Sequence, residues 1–524
     1  MNIKFNRKNF IETLKKFIVP RLPLIIFLAL FILYAILTYR DYGITWDETD
    51  VYTWGKANID YYLLKPNDYS FNLLKDLEGF YYNLYASVLV AISYLVKHAN
   101  SFYLFHFLNF VFATPIFILA YEVILKHYKK SYLAILAPIF LVLTPRFFND
   151  IAANPKDVPF AVVLFCATAL IYLVFKKDSF TKIIVLGVSF GMAQSFRIIG
   201  FDIYIIYAAY ILYTYFLDNK FNKNEFVKYL IKEFKILVLI IITAFVFMFA
   251  TWPAVGANVI GGLKTAIELP KTFQWTGTVL FNGENINFRQ LPDQYLPMWY
   301  LISNPIFILV LLGTSLIFLK KLIKNKLFFL FGSSFILNLL LYFVLNPVIY
   351  NGIRHFLFLY VFGSFIALLT LIELILWIKK TKYKRIGFSI ILGLLLINIL
   401  SVIINYINLY PYGYIYFNEF VGGLNGANNK FEADYWAAAS KEAVEWLNRN
   451  TPDEGVITIS SRSFPNQIKY FMKPNMQYFI NQERNSAQYY ITGELDTLDL
   501  NSGKIIHTIQ REGVVLMYIF EFNR

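Results

Sequence analysis

From Leu22 to Ile407 the chain alternates stretches of about twenty nearly uncharged residues with short polar tracts. A helix rises ~1.5 Å per residue and the hydrocarbon core of a bilayer is ~30 Å thick, so a stretch of that length can cross. Transmembrane helices are predicted near 22–39, 102–125, 132–148, 158–175, 183–196, 203–216, 236–251, 298–319, 327–345, 356–378 and 386–407. The first exceeds a signal-peptide core and is followed by no small-residue cleavage pattern, so it is expected to stay as an anchor. Phe80–Val96 is apolar too, but its Asn83, Ser93 and tyrosines suit an interfacial or re-entrant helix. Counting it as a crossing would also place every later basic tract outside.

Those basic tracts set the sidedness. Lys4, Arg7, Lys8, Lys15 and Lys16 precede the first span, and Lys126–Lys130, Lys176–Lys182, Asp218–Lys235, Lys320–Lys326 and Lys379–Arg385 follow alternate spans. Taken as cytoplasmic, they put the N-terminus inside and the C-terminal region outside a multi-pass protein of the cell (inner) membrane. The longer connections then fall outside: Arg40–Gly79, Asn149–Asp157, Arg197–Asp202, Trp252–Pro297 and the tail after Asn408. Function is sought there.

The tail changes character. Glu432–Asn450 carries Tyr435, Trp436, Ala439, Val444 and Leu447 at helical intervals and stops at Thr451-Pro452-Asp453. Strand-like runs follow at Val456–Ser460, Met476–Ile480 and Val514–Phe520. Gly422-Gly423-Leu424-Asn425-Gly426 ahead of them reads as a flexible linker. The chain is therefore divided into a transmembrane domain, 1–409, and a small extracytoplasmic α/β domain, 410–524.

Composition agrees. Hydrophobic residues make up 58%, aromatics 19% and charged residues 16%, which would leave a soluble chain with too much apolar surface. The net charge of +14 is topological rather than a sign of a nucleic-acid partner, because the lysines and arginines sit between spans. A single cysteine, Cys166, excludes a disulfide within the chain and reads as a small core residue. There is no Walker loop, dinucleotide fingerprint or histidine-pair zinc motif.

Chemistry-bearing residues cluster on the outer connections. Asp47 and Glu48 follow the first span closely, in Trp46-Asp47-Glu48; a carboxylate shielded there can have a raised pKa and act as a general base toward a hydroxyl. They read equally as solvated acids or as part of a helix N-cap, since a helix through Tyr62 begins here. Lys156 and Asp157 lie in Asn154-Pro155-Lys156-Asp157-Val158-Pro159, where Asp157 also suits a helix N-terminus. Arg146, Lys156 and the neighbouring acids also fit interfacial anchors. Arg197 ends one span and Arg354-His355 opens another, against the positive-inside tendency. Such arginines have a partner, either a lipid-linked phosphate or a loop acid such as Asp157 or Asp202. His355 has no metal-ligand spacing around it. Acidic oxygens stand outside, but no spacing selects a cation, so no cofactor is assigned and a divalent cation stays open.

Together Trp46-Asp47-Glu48, Pro155-Lys156-Asp157-Val158-Pro159, Arg197 and Arg354-His355-Phe356 resemble, in order, the motifs of GT-C glycosyltransferases. The likeness is to the branch with dolichyl-phosphate-mannose protein mannosyltransferases and the aminoarabinose transferase of lipid A. It covers Leu22 to about Ile407, and more weakly the tail. One departure is Asp76-Leu77-Glu78-Gly79-Phe80-Tyr81-Tyr82, where many relatives carry a His-Pro-Pro-like element. The resemblance implies a GT-C-like α-helical membrane fold of about eleven transmembrane helices plus interfacial helices, bearing the C-terminal α/β domain. It implies a polyprenyl-phosphate sugar donor and a lipid, glycan or protein acceptor, with inversion. Asp47, Glu48 and Asp157 would be the catalytic acids, Asp47 as base; Lys156, Arg197, Arg354 and His355 would bind the lipid phosphate. The rival reading is a transporter or flippase of a lipid-linked saccharide. Transporters bury ionisable groups near the bilayer midplane, where this chain has almost none.

Overall fold

A computed structural model describes residues 12, 15–63, 84–97, 102–272, 277–461, 465–479, 487–493 and 503–522. Lys4, Arg7, Lys8, the Asp76–Tyr82 departure, the first residues of the Phe80–Val96 stretch and Ile480 lie outside the described residues.

Among the described residues nine helices are long and apolar enough to cross a membrane. They run Lys15–Thr38, Phe102–Tyr128, Asp157–Val174, Ser179–Phe196, Ile198–Asp218, Lys223–Thr251, Lys326–Leu345, Phe358–Ile378 and Lys384–Leu409, close to nine of the expected spans. The chain is a multi-pass membrane protein.

Two expected spans differ. The 132–148 stretch is broken into Ser131–Ala134, Leu136–Val142 and Pro145–Asp150, the last break falling where Pro145 can start a helix but not continue one. The 298–319 stretch is split into Tyr295–Ile302 and Ile306–Ile317, bent by 118°. Pro305 sits at that bend, and Asn418 from the tail satisfies the freed carbonyls of Leu301 and Asn304, each at 2.7 Å. Leu84–Leu95, in the stretch excluded from the crossings, has 12 residues.

Contacts between basic tracts gather at one end of the bundle. Arg21 pairs with Glu122 at 2.6 Å, Lys126 Nζ donates to the Leu173 carbonyl at 2.7 Å, and Lys326 pairs with Asp218 at 2.5 Å. Asp157–Val174 and Phe358–Ile378 are buried along most of their length, as helices apolar all round should be. Lys384–Leu409 instead exposes Ile397, Leu400, Ile404 and Ile407 on the periphery. The two buried helices thus start in the interior of the opposite end, directly after Lys156 and Arg354.

That end is capped by the rest of the chain. The hairpin β1 (Thr278–Phe281) and β2 (Glu284–Asn287) belongs to the 252–297 loop and meets the tail where Gly283 N donates to the Lys430 carbonyl at 3.0 Å. The tail holds a five-stranded mixed sheet of β3 (Ile457–Ser461), β4 (Met476–Phe479), β5 (Tyr489–Thr492), β6 (Lys504–Arg511) and β7 (Val514–Glu521), in the order β4-β3-β5-β7-β6. All three expected strands are present; β5 and β6 were not anticipated.

The tail helix is shorter than its pattern suggested, Ser440–Asn450, because the Asp434 carboxylate accepts from Ala438 N at 3.0 Å and Ala439 N at 3.1 Å and turns the chain first. The glycine-rich stretch is not a loose linker. It forms the short helix Gly423–Ala427, entered through positive φ at Gly422 (87°) and Gly423 (63°).

Candidate active site

Thr45 starts the helix Trp46–Tyr62 with a capping box: its backbone N–H reaches Glu48 Oε2 at 2.8 Å. Consecutive helical residues point ~100° apart, so one carboxylate of the pair turns back to the cap and the other does not. Glu48 is fully buried, its Oε1 2.8 Å from His106 Nε2. The contacts of Glu48 are those of a cap and of a partner to His106. The Thr45 hydroxyl also donates to the Ala153 carbonyl at 2.8 Å, which ties this helix start to the 150–157 turn.

Asp47 faces that turn and joins a buried cluster of charges. Arg354, 307 positions later in the chain, donates to Asp47 Oδ2, and its Nη1 lies 3.8 Å from Asp157 Oδ2. Lys156 Nζ is 3.8 Å from Asp47 Oδ1. Arg197 donates to Asp157 Oδ1, and its Nη1 also reaches the His355 carbonyl at 3.1 Å. Asp47, Lys156, Asp157, Arg197 and Arg354 therefore converge from four separate regions of the sequence. Arg197 takes Asp157 as its partner, whereas Asp202 is bound to Asn338 instead.

The electrostatics correct one expectation. Burial pushes the Asp47 carboxyl up, but Arg354, then Lys156 and Arg197, outweigh it and hold the group below its ordinary range. Asp47 is not a raised-pKa acid; it is ionised. Burial would also weaken Arg354, yet Asp47 and Asp157 keep its guanidinium firmly protonated. His355 is driven well below its usual value by burial and by Arg354, Arg197 and Lys156, so its ring is neutral at pH 7.

Beside the cluster lies a cavity of about 290 Å³. Lys156, Arg197 and His355 line one part of it, while Trp252, Leu269, Leu341, Leu345, Val348 and Phe356 are among its apolar walls. Arg354 is not at its surface; it stands behind, stacked on Tyr350 at 5.2 Å and on Trp436 of the tail at 5.8 Å. Of the residues expected to bind a lipid phosphate, three line the cavity and Arg354 supports them.

No protein-family model and no curated protein matches the chain. Its fold is similar to that of ArnT from Cupriavidus metallidurans bound to undecaprenyl phosphate, at 9% identity and a TM-score of 0.49 over 94% of this chain and 97% of that one. The apo state of the same protein gives 8% identity and a TM-score of 0.47 over the same shares.

The structure adds residues that the motifs left aside. Arg146, Asp150 and Asn154 stand four residues apart and are all buried. In the sequence Arg146 and the neighbouring acids read as interfacial anchors; Arg146 and Asp150 belong to the short helix Pro145–Asp150, and Asn154 follows in the turn after it. Arg146 Nε donates to the Tyr416 carbonyl at 3.1 Å, and its guanidinium lies over Trp299 and Phe417 at 5.3 and 5.1 Å. Burial raises Asp150 to about 7, only partly offset by its hydrogen bond to Asn154 and by Arg146. Among the described residues no group of three or more His, Cys, Asp and Glu is placed to hold a metal ion.

Proposed function

We propose that the protein is a membrane glycosyltransferase that moves a sugar from a polyprenyl-phosphate donor to an acceptor hydroxyl or amine on the outer face of the membrane. The observation that carries this reading is the cavity: cationic side chains at one part of it and hydrocarbon-like walls elsewhere match an amphiphile with a phosphate head. The ordered motifs described above point to the same chemistry.

In this mechanism the prenyl chain lies against Trp252, Leu341, Leu345 and Val348 while Lys156 and Arg197 contact the phosphate. Asp47 accepts the acceptor proton as the nucleophile bonds to the anomeric carbon. The bond from that carbon to the phosphate oxygen breaks, and its electron pair leaves with polyprenyl phosphate, giving inversion. An ionised Asp47 is a weak base, but the acceptor proton becomes acidic as the new bond forms. Arg197 and Lys156 stabilise the charge that grows on the leaving phosphate. Asp157 orients Arg197, and Arg354 orients Asp47. Residues 410–524 form the extracytoplasmic domain, whose Trp436 closes over Arg354.

Purified protein with a labelled polyprenyl-phosphate sugar tests this. Release of polyprenyl phosphate with transfer of the label supports it; movement of the intact lipid across a vesicle without cleavage would overturn it in favour of a transporter.

A further inference from the structure

One amide stands between two carboxylates behind the cavity. Asn154 is fully buried, and its Nδ2 donates to Asp150 Oδ2 at 3.1 Å and to Asp157 Oδ2 at 3.3 Å. Its Oδ1 accepts from the backbone of Asp157 at 2.8 Å and of Lys156 at 3.3 Å. A single side chain thus holds both the backbone and the carboxylate of the residue to which Arg197 and Arg354 attach.

Capping the helix Asp157–Val174 requires only the oxygen, and an aspartate would supply that equally well. The NH₂ group is surplus to capping, and both of its hydrogens are directed at carboxylates. Asp150 Oδ1 has no hydrogen-bond partner among the described residues, so Asn154 is what orients the Asp150 carboxylate. The charged and titratable groups facing Asp150 are Arg146 on its own helix, Asp157, Arg354, Tyr360 and, from the tail, Tyr435.

We propose that Asn154 and Asp150 are positioning residues: the Asn154 amide, anchored by Asp150, fixes the carboxylate of Asp157 and through it the guanidiniums of Arg197 and Arg354. The catalytic consequence rests on the glycosyltransferase reading; the clamp itself does not. A small displacement of groups that act on a reacting centre costs large factors in rate, so a residue with no substrate contact can matter through this route.

The test uses N154D, which keeps the capping oxygen and removes both N–H groups, and D150N/N154D, in which Asn at 150 can donate to Asp at 154. Melting midpoints are measured at pH 8, and kcat and KM for polyprenyl phosphate release below each midpoint. The clamp predicts that N154D melts lower and loses about tenfold or more in kcat/KM. It predicts that D150N/N154D, which restores the charge count and the contact between 150 and 154 but still offers Asp157 no N–H, recovers the midpoint in part and leaves kcat/KM low. N154D matching the wild type would reduce Asn154 to a cap and overturn the proposal, as would a double variant with wild-type kcat/KM. If the wild type released no polyprenyl phosphate, the glycosyltransferase reading would fall, and the midpoint of N154D against that of the wild type would still decide the clamp.

Discussion

Arg354 donates to Asp47 across 307 positions of sequence, and both side chains are buried. This pair ties together two distant segments at the end of the bundle opposite the basic tracts: Asp47 lies in the first turn of the helix Trp46–Tyr62, while Arg354 precedes the buried helix Phe358–Ile378. Removing one member of such a pair strands the other charge, whereas an isosteric amide retains part of its hydrogen bonding.

Asp47→Asn is expected to keep the fold and to lower turnover by ~10²–10⁴, the usual contribution of a positioned base. Single-turnover release of polyprenyl phosphate, read beside the circular dichroism spectrum, checks this. Wild-type turnover would remove Asp47 from the mechanism.

Glu48→Ala separates the two acids of the motif. It removes the capping box and leaves His106 without its carboxylate, so the loss should appear as stability, ~1 kcal/mol or more, rather than as a specific fall in kcat. Melting and turnover of the same preparation distinguish the two; a folded variant with abolished kcat would return Glu48 to the catalytic set.

The Asp150 carboxyl gives a pH signature. Its value in the folded chain is about 7, above the ordinary 3.8, so the folded state binds the proton more tightly than the unfolded one. Stability from this group is therefore greatest at low pH and falls as pH rises from about 4 through 7. Asp150→Asn should melt higher than wild type at pH 8, by up to about 4 kcal/mol of unfolding free energy, and converge with it near pH 4. Asp47 runs the opposite way: its contribution is present above the ordinary carboxylate value and is lost as pH falls through its depressed one. Melting of Asp150→Asn and wild type between pH 4 and 8 measures the difference; equal midpoints throughout would contradict it.

Gly43 approaches the tail so closely that a Cβ there would sit 2.1 Å from the Ala438 carbonyl oxygen. Backbone cannot yield as a side chain can, so Gly43→Ala should push the 434–440 segment off the site at a cost on the order of 1–3 kcal/mol. Increased proteolysis of the tail, with the membrane helices intact, is the expected readout.

Much of this architecture was legible one segment at a time. The hydrocarbon core acts on each stretch independently, so length and apolarity located nine of the helices, and the basic tracts predicted which ends gather together. The breaks in 132–148 and 298–319 were harder to read, because whether a proline bends a span depends on what satisfies the freed backbone groups. Here Asn418, more than a hundred residues away, supplies that contact at the 118° bend. A helix start at Asp47-Glu48 was legible in the sequence, yet which of the two carboxylates turns back to Thr45 and which faces a distant partner is a matter of packing.

By itself, then, the sequence determined nine of the spans and the residue types available in the connections between them, because partition into lipid and local helix capping are near-neighbour effects. Tertiary structure alone decided that Asp47 meets Arg354, that Asp157 meets Arg197, and that Lys156 and His355 share a cavity wall. Those relationships come from the packing of helices far apart in the chain, and the ionisation of each group follows from how many opposite charges that packing brings within a few ångströms.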